Sequence, residues 1–299
     1  MTRQRVLGRF DAPFPAAEIL DPLVRAALEE DAAFQDRAIS AVPEAARAKA
    51  SVLAREAGVM AGERVFRRVF EILAPHARFE HSGLADGRMF AAGDVVRTIE
   101  GPATALLSGE RTALNFLQRL CGIATMTNAF VEKSAGRIAI TDTRKTTPGL
   151  RALEKYAVVV GGGVSHRPNL REMVMLKENH LALAGGIRPA VERIRAQAES
   201  QDLPLTVEVR SFEEAMEAAD LDVDRILLDN MTPEEMKRIV QTLKARRSRP
   251  ELEASGGIRE SNLDEVAASG VDVASVGSLT HGARAIDFSF LVEPGSPHS

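Results

Sequence analysis

The sequence predicts an α/β protein, in which a barrel of parallel βα units follows a small α+β domain. Three observations carry this. Apolar runs recur after Gly136, at 138–143, 173–177, 205–210, 225–230, 252–258 and 271–278, with helical segments between them at 148–158, 188–199, 211–219, 232–246 and 261–268. Strand, loop and helix repeated in this way are the pattern of parallel βα units. The runs are continuous rather than alternating, as when a strand is buried on both faces. Polar residues end nearly every run, and no GxGxxG follows any of them. A closed barrel gathers such strand ends on one rim, where active sites sit.

The elements follow in order. Residues 1–17 contain two prolines and little periodicity, and read as an arm or loose start. Ile19, Leu20, Leu23, Ala26 and Ala27 fall on one helical face over 16–30. Residues 48–55 alternate like a strand, and Gly58 and Gly62 bracket a turn. Val65, Phe66, Val69, Phe70 and Leu73 make 63–73 an amphipathic helix. Turns at Asp86-Gly87 and Gly93-Asp94 flank short strands ending near Ile99. Residues 104–130 read as a long helix, broken or kinked near Gly122. Among the later helices, Ser211 with Glu214 and Thr232 with Glu235 have capping-box spacing, and Pro233 takes the first helical position.

Composition narrows the function classes. The chain has 299 residues, 45% of them apolar, and a formal charge of −4. That balance attracts neither nucleic acid nor an anionic membrane, so clustered cations are a local feature. No apolar run reaches the ~18 residues of a spanning helix, and the first residues lack a signal-peptide core. The single cysteine, Cys121, excludes an internal disulfide framework and reads as a buried small residue. A reducing, cytoplasmic setting is expected.

The strand ends sort by chemistry. The early ones offer cations: Arg144 and Lys145 after the first run, His166 and Arg167 after a triple glycine, Lys177 after the second run. Middle strands offer Glu208 and Asp229, and late ones offer Ser255, Gly256, Gly257, Gly277, Ser278 and His281. Arginine grips a carboxylate through two parallel hydrogen bonds and lysine adds a point charge, so four cations suit a small, multiply anionic ligand. The plainer alternative is ordinary ion pairs with Glu154, Glu172 or Glu178. Glu208 and Asp229, alone in apolar strands, either pair with a rim lysine or bind ribose hydroxyls or Mg²⁺. Glycine turns after the last strands are the usual phosphate site of a barrel. His166 and His180 are better placed to hydrogen-bond an anion than to hold zinc, since no HxH or HExxH spacing exists. His76, His81 and His298 carry no signal.

At this point the residues resemble a family. TALNFLQRLCGIAT (112–125), DTRKTTPGLRALEKYAV (142–158), GGGVSHR (161–167), LKENH (176–180), VEV (207–209), ILLDNM (226–231), EASGGI (253–258) and SVGSLTH (275–281) are similar to quinolinate phosphoribosyltransferase, from about residue 20 to 292. The resemblance implies transfer of the phosphoribosyl group from phosphoribosyl pyrophosphate to quinolinate with decarboxylation, giving nicotinate mononucleotide, pyrophosphate and CO₂ in de novo NAD biosynthesis. It implies an incomplete, seven-stranded α/β barrel over 116–283 and an N-terminal α+β sandwich domain over 1–115, to which 284–293 returns. It implies Mg²⁺, and a homo-oligomer (a dimer or dimer-based hexamer) in which Arg111 crosses to the partner subunit to bind quinolinate. By the same carry-over Arg144, His166, Arg167 and Lys177 surround the carboxylates and Lys145 lies between acid and sugar donor. Glu208 and Asp229 meet ribose and metal, and Ser255, Gly256, Gly257, Gly277 and His281 meet phosphates. Lys145, Lys177, Glu208 and Asp229 are the expected catalytic residues. Val159 and Ser165 stand where many bacterial members have Arg and Asn, a change the eukaryotic branch shares. At 30–40, EDAAFQDRAIS lacks the glycines of the usual EDxGxGD pattern, which bears on that loop's conformation. The rival readings are a related phosphoribosyltransferase for another aromatic acid, a Schiff-base aldolase using Lys145 or Lys177, and a catalytically silent sensor.

Overall fold

The computed structural model of the chain describes residues 6–246 and 249–295. The first five residues of the expected arm, and His298, lie outside them. Along the chain run α1 (Ala17–Glu30), β1 (Arg47–Ala54), β2 (Gly58–Val59), α2 (Glu63–Leu73), β3 (Glu80–Gly83), β4 (Met89–Phe90), β5 (Val95–Pro102) and α3 (Ala103–Ser134). Then follow β6 (Ala139–Thr141), α4 (Arg151–Val160), β7 (Val174–Leu176), α5 (Glu178–Ala184), α6 (Ile187–Arg195), β8 (Leu205–Val209) and α7 (Phe212–Asp220). The last elements are β9 (Arg225–Asp229), α8 (Pro233–Lys244), β10 (Glu251–Ser255), α9 (Leu263–Ala268), β11 (Val273–Ser275), α10 (Ser278–His281) and β12 (Phe288–Pro294). No helix among the described residues is long and apolar enough to cross a membrane.

Contacts divide the chain into two compact units. One takes residues up to 12, 127–146 and 162–281; the other takes 13–126, 147–161 and the residues from 282 on. The division therefore falls inside α3 rather than at 115/116, and α4 groups with the second unit. The second unit holds an antiparallel sheet in the order β12-β1-β5-β3. Strand β12 of that order is the returning C-terminal strand, with Ala54 opposite Phe288 and Ala48 opposite Pro294. Alternate residues of β1 are buried, and the Phe70 ring of α2 stacks 6.2 Å from Phe290. α2 starts at Gly62, and the Asp86 carboxylate accepts the N–H groups of Gly62 (3.0 Å) and Glu63 (3.1 Å). This side chain from a distant turn satisfies donors that a helix start leaves open.

α3 is one unbroken helix of 32 residues, which corrects the expected break at Gly122. The glycine serves close approach instead: a Cβ there would lie 2.0 Å from the Arg284 carbonyl oxygen.

The first unit holds a parallel sheet in the order β6-β11-β10-β9-β8-β7. Its six strands lie within one to three residues of the apolar runs of the sequence, because buried parallel strands need unbroken apolar stretches. Beyond β6 a single parallel bridge, Thr141 to Val164, extends that edge. The helix expected at 188–199 is preceded by α5, whose start at Lys177 the sequence reading assigned to a rim loop. The Thr232–Glu235 capping box forms in full. At α7, Ser211 accepts from the Glu214 N–H, while the Glu214 carboxylate accepts from the N–H of Arg210. The described part of the N-terminal arm is not loose. Val6 is 2% exposed, packed with Met173, Met175 and Leu227, and Phe10 bridges to Ser165.

Candidate active site

Parallel strands point one way, so their carboxyl ends share one edge, and alternate side chains share one face. The register sets Glu251 beside Arg225, Glu253 beside Leu227 and Ser255 beside Asp229, with Ser255 also beside Ser275. These alternating positions build a cavity of about 300 Å³ at the strand ends. Arg144, Lys145, His166, Arg167, Lys177, Glu208, Asp229 and Ser255, all singled out by sequence, line it together with Thr143. So do Met175, Leu227, Glu253 and Ser275, which sequence reasoning missed. Glu253 carries the same signal as Glu208 and Asp229, a lone carboxylate in an apolar run, and the same criterion finds it.

Two of the three carboxylates offered as plain partners for the rim cations, Glu154 and Glu178, are engaged elsewhere. Glu154 pairs with Arg119 (2.8 Å) and accepts from Thr147, and Glu178 pairs with Arg210 (2.5 Å). Glu208 does take a rim lysine, Lys177, at 3.2 Å. Asp229 accepts from the Asn230 amide (3.0 Å) and lies 3.6 Å from Arg210. Among the described residues neither Lys145 nor Arg167 makes an ion pair. Arg167 is 5% exposed, and its guanidinium donates to the Met173 carbonyl (3.0 Å) and meets the Met175 sulfur (3.5 Å). Burial lowers its pKa, the nearby Arg144 lowers it further, and Glu253 partly offsets both. A buried guanidinium beside a second cation, with no anion of its own, is poised for an anionic ligand.

Glu253 sits beneath the cations, fully buried. Burial alone pushes its carboxyl up, but His166 and Arg225 outweigh burial and hold it well below the usual carboxylate range. The glycine turns also converge. A Cβ at Gly277 would lie 3.2 Å from both the Lys145 stem and the His281 ring. Gly256 has φ +91°, and a Cβ there would meet the Asn230 Oδ1 at 2.2 Å, so only glycine fits. Gly257 also has positive φ, +61°, with open space around it.

Other expected residues fall elsewhere. Arg111 lies on α3 in the antiparallel-sheet unit, with its side chain 59% exposed and a distant 3.9 Å pair to its neighbour Glu110. His180 caps α5 by accepting the Lys177 N–H at 3.1 Å. Val159 is 40% exposed, and the Ser165 hydroxyl donates to the His166 carbonyl. A larger cavity, about 480 Å³, lies in the antiparallel-sheet unit, lined by aliphatic residues such as Leu23, Leu120 and Leu153 together with the carboxylates Glu30 and Asp31. Its one cation, Arg119, is committed to Glu154 and the Ala283 carbonyl, so the unpaired charge lies with the strand ends.

Comparison with known proteins shows the family. Residues 123–291 match the quinolinate phosphoribosyl transferase C-terminal domain family, and residues 32–121 match its N-terminal domain family. The chain is 39% identical over 280 residues to the human nicotinate-nucleotide pyrophosphorylase (carboxylating), covering 91% of this chain and 93% of the human one. It is 40% identical over 246 residues to a probable nicotinate-nucleotide pyrophosphorylase (carboxylating) of Bacillus subtilis, covering 82% and 83%. The crystal structure of NadC from Streptococcus pyogenes superposes with a TM-score of 0.88 at 41% identity, covering 94% of this chain and 99% of that one.

Proposed function

The chain belongs to the quinolinate phosphoribosyltransferase family, and from that membership and the cation-lined cavity we infer how it works. It transfers the phosphoribosyl group of phosphoribosyl pyrophosphate to quinolinate with decarboxylation, giving nicotinate mononucleotide, pyrophosphate and CO₂ for NAD biosynthesis. The observation that carries the reading of the site is Arg167, buried at the cavity wall without an ion pair among the described residues. In this reading Arg144, His166, Arg167 and Lys177 surround the two carboxylates of quinolinate, and Lys145 stands between the acid and the sugar donor. Glu208 and Asp229 meet the ribose hydroxyls. Ser255, Gly256, Gly257, Gly277 and His281 receive the phosphates.

The chemistry asks for placement more than for covalent help. The C1–O bond to pyrophosphate breaks, the leaving group takes the electron pair, and the ring nitrogen of quinolinate forms the C1–N bond. The bond from C2 to its carboxylate then breaks. Its electron pair stays on C2 beside the positive nitrogen, CO₂ departs and a proton fills C2. The cations hold two anionic substrates against each other and compensate their charge, which is preorganised electrostatics. The two carboxylates at the strand ends, Glu208 and Asp229, fit Mg²⁺, which takes oxygen ligands and needs only one or two from protein when substrate phosphates complete the shell. Held by Glu208 and Asp229, the ion would offset the negative charge of pyrophosphate.

The same reading extends to architecture and assembly. The Thr141–Val164 bridge supports a seventh stave in an incomplete barrel, and the helix-covered antiparallel sheet supports an α+β sandwich. The exposed Arg111, held only loosely by its own neighbour, supports a homo-oligomer in which it crosses to the partner's cavity. The test is release of pyrophosphate and CO₂ that requires quinolinate, phosphoribosyl pyrophosphate and Mg²⁺ together. Pyrophosphate release with another aromatic acid and none with quinolinate would overturn the substrate assignment.

A further inference from the structure

A line of alternating charges runs beneath the cavity from the N-terminal arm to His166. The N–H groups of Val6 and Leu7 donate to the Glu251 carboxylate at 3.1 and 2.9 Å. Glu251 accepts from Nε and Nη2 of Arg225 at 3.3 and 2.8 Å. Arg225 is 3% exposed, and its Nη1 donates to Glu253 at 2.7 Å. Glu253 lies 3.3 Å from Nε2 of His166. The other ring nitrogen, Nδ1, accepts the N–H of Arg167 at 2.8 Å, so the ring hydrogen sits on Nε2 and faces Glu253. His166 and Glu253 line the cavity; Arg225 and Glu251, paired in register on neighbouring strands, lie one layer below it.

This arrangement has a cost that needs a purpose. A carboxylate under a pocket for a dianion repels the ligand unless a cation beneath it absorbs its charge. Arg225 does so, and Glu253 in turn orients the imidazole whose Nδ1 holds the backbone of Arg167. We propose that Arg225 and Glu253 are positioning residues for the acid-binding pocket, fixing His166 and Arg167 for the dicarboxylate while screening it from the buried carboxylate. The inference rests on the reading of this cavity as the quinolinate site. Neither residue touches the sugar donor in it, so their loss acts on one substrate.

The test is steady-state kinetics of Arg225→Met, Glu253→Gln and the double variant in the full-length protein, with thermal unfolding alongside. Each single variant is expected to raise KM for quinolinate about tenfold or more, as one unbalanced buried charge or one misdirected hydrogen bond does. KM for phosphoribosyl pyrophosphate stays within about twofold in the same variants. In the double variant both charges are gone and the glutamine oxygen still accepts from Nε2, so KM for quinolinate returns to within about threefold of the unaltered protein. Losses that add in the double variant, or that strike both substrates alike, would overturn the proposal and leave a plain structural ion pair. If Arg225→Met does not fold, Glu253→Gln and the double variant carry the same contrast. Turnover of quinolinate by the unaltered protein tests the site reading separately; its absence would remove that reading and this inference with it.

Discussion

Replacing Arg167 with methionine separates binding from folding. The side chain keeps an unbranched apolar stem, ends about two atoms short of the guanidinium tips, and loses its charge. In the free protein two effects oppose each other: a buried cation held near Arg144 is removed, and the hydrogen bond to the Met173 carbonyl is lost. With one charged hydrogen bond set against relief of desolvation and like-charge repulsion, folding free energy should change by no more than ~1 kcal/mol. With quinolinate bound, the change removes a bidentate pair. Two charge-assisted bonds at ~1.5–3 kcal/mol each give ~3–6 kcal/mol, or a loss of ~10²–10⁴ in kcat/KM. Arg167→Lys keeps the charge and loses the fork, so a loss of roughly ten- to a hundredfold is expected. Steady-state kinetics and urea unfolding of the three proteins make the comparison. A methionine variant that unfolds easily yet turns over quinolinate normally would refute the reasoning, because Arg167 would then be a structural cation.

Three further outcomes follow from the same geometry. Nicotinate, which lacks one carboxylate, leaves cations unpaired in the pocket, and its kcat/KM should be lower by at least about tenfold in a direct substrate comparison. Gly256→Ala drives a methyl into Asn230, whose amide donates to Asp229, so KM for phosphoribosyl pyrophosphate should rise about tenfold with a clear fall in Tm. Gly257→Ala meets nothing and should show only the ~1 kcal/mol penalty of positive φ. His81 is pushed down to about 4 by burial, with Arg67 and Arg97 adding and Glu71 opposing, and among the described residues neither of its buried ring nitrogens has a hydrogen-bond partner. Between pH 6.5 and about 4 the unfolded chain therefore binds a proton that the native state refuses, and stability falls as pH drops through that window. His81→Leu should flatten the fall in urea midpoint between pH 7 and 4.5; an unchanged slope would assign it to other groups.

The sequence revealed those parts that rest on local rules. Six parallel strands were visible because each needs an unbroken apolar run, and α8 because Thr232, Pro233 and Glu235 complete a cap within four residues. Most of the cavity wall was visible because strand ends share one edge, so Arg144, Lys177, Glu208, Asp229 and Ser255 could be grouped without knowing the fold's details. The support beneath was hidden because it is non-local. Arg225 and Glu253 are 28 residues apart, and nothing near either one shows that register places them together. The arm was hidden for the same reason, since Val6 finds its place only against Met173 and Leu227. Gly122 misled because a glycine that breaks a helix and one that admits a crossing backbone look alike in sequence. Arg111, in the other unit, was reached through family resemblance alone.

The most direct test of the central claim is a crystal structure of the protein with quinolinate bound. The account predicts both carboxylates in the strand-end cavity, one of them in a two-pronged hydrogen bond with Arg167, and His166 still turned toward Glu253. Quinolinate seated elsewhere, or in the cavity with Arg167 still bonded only to Met173 and Met175, would contradict it.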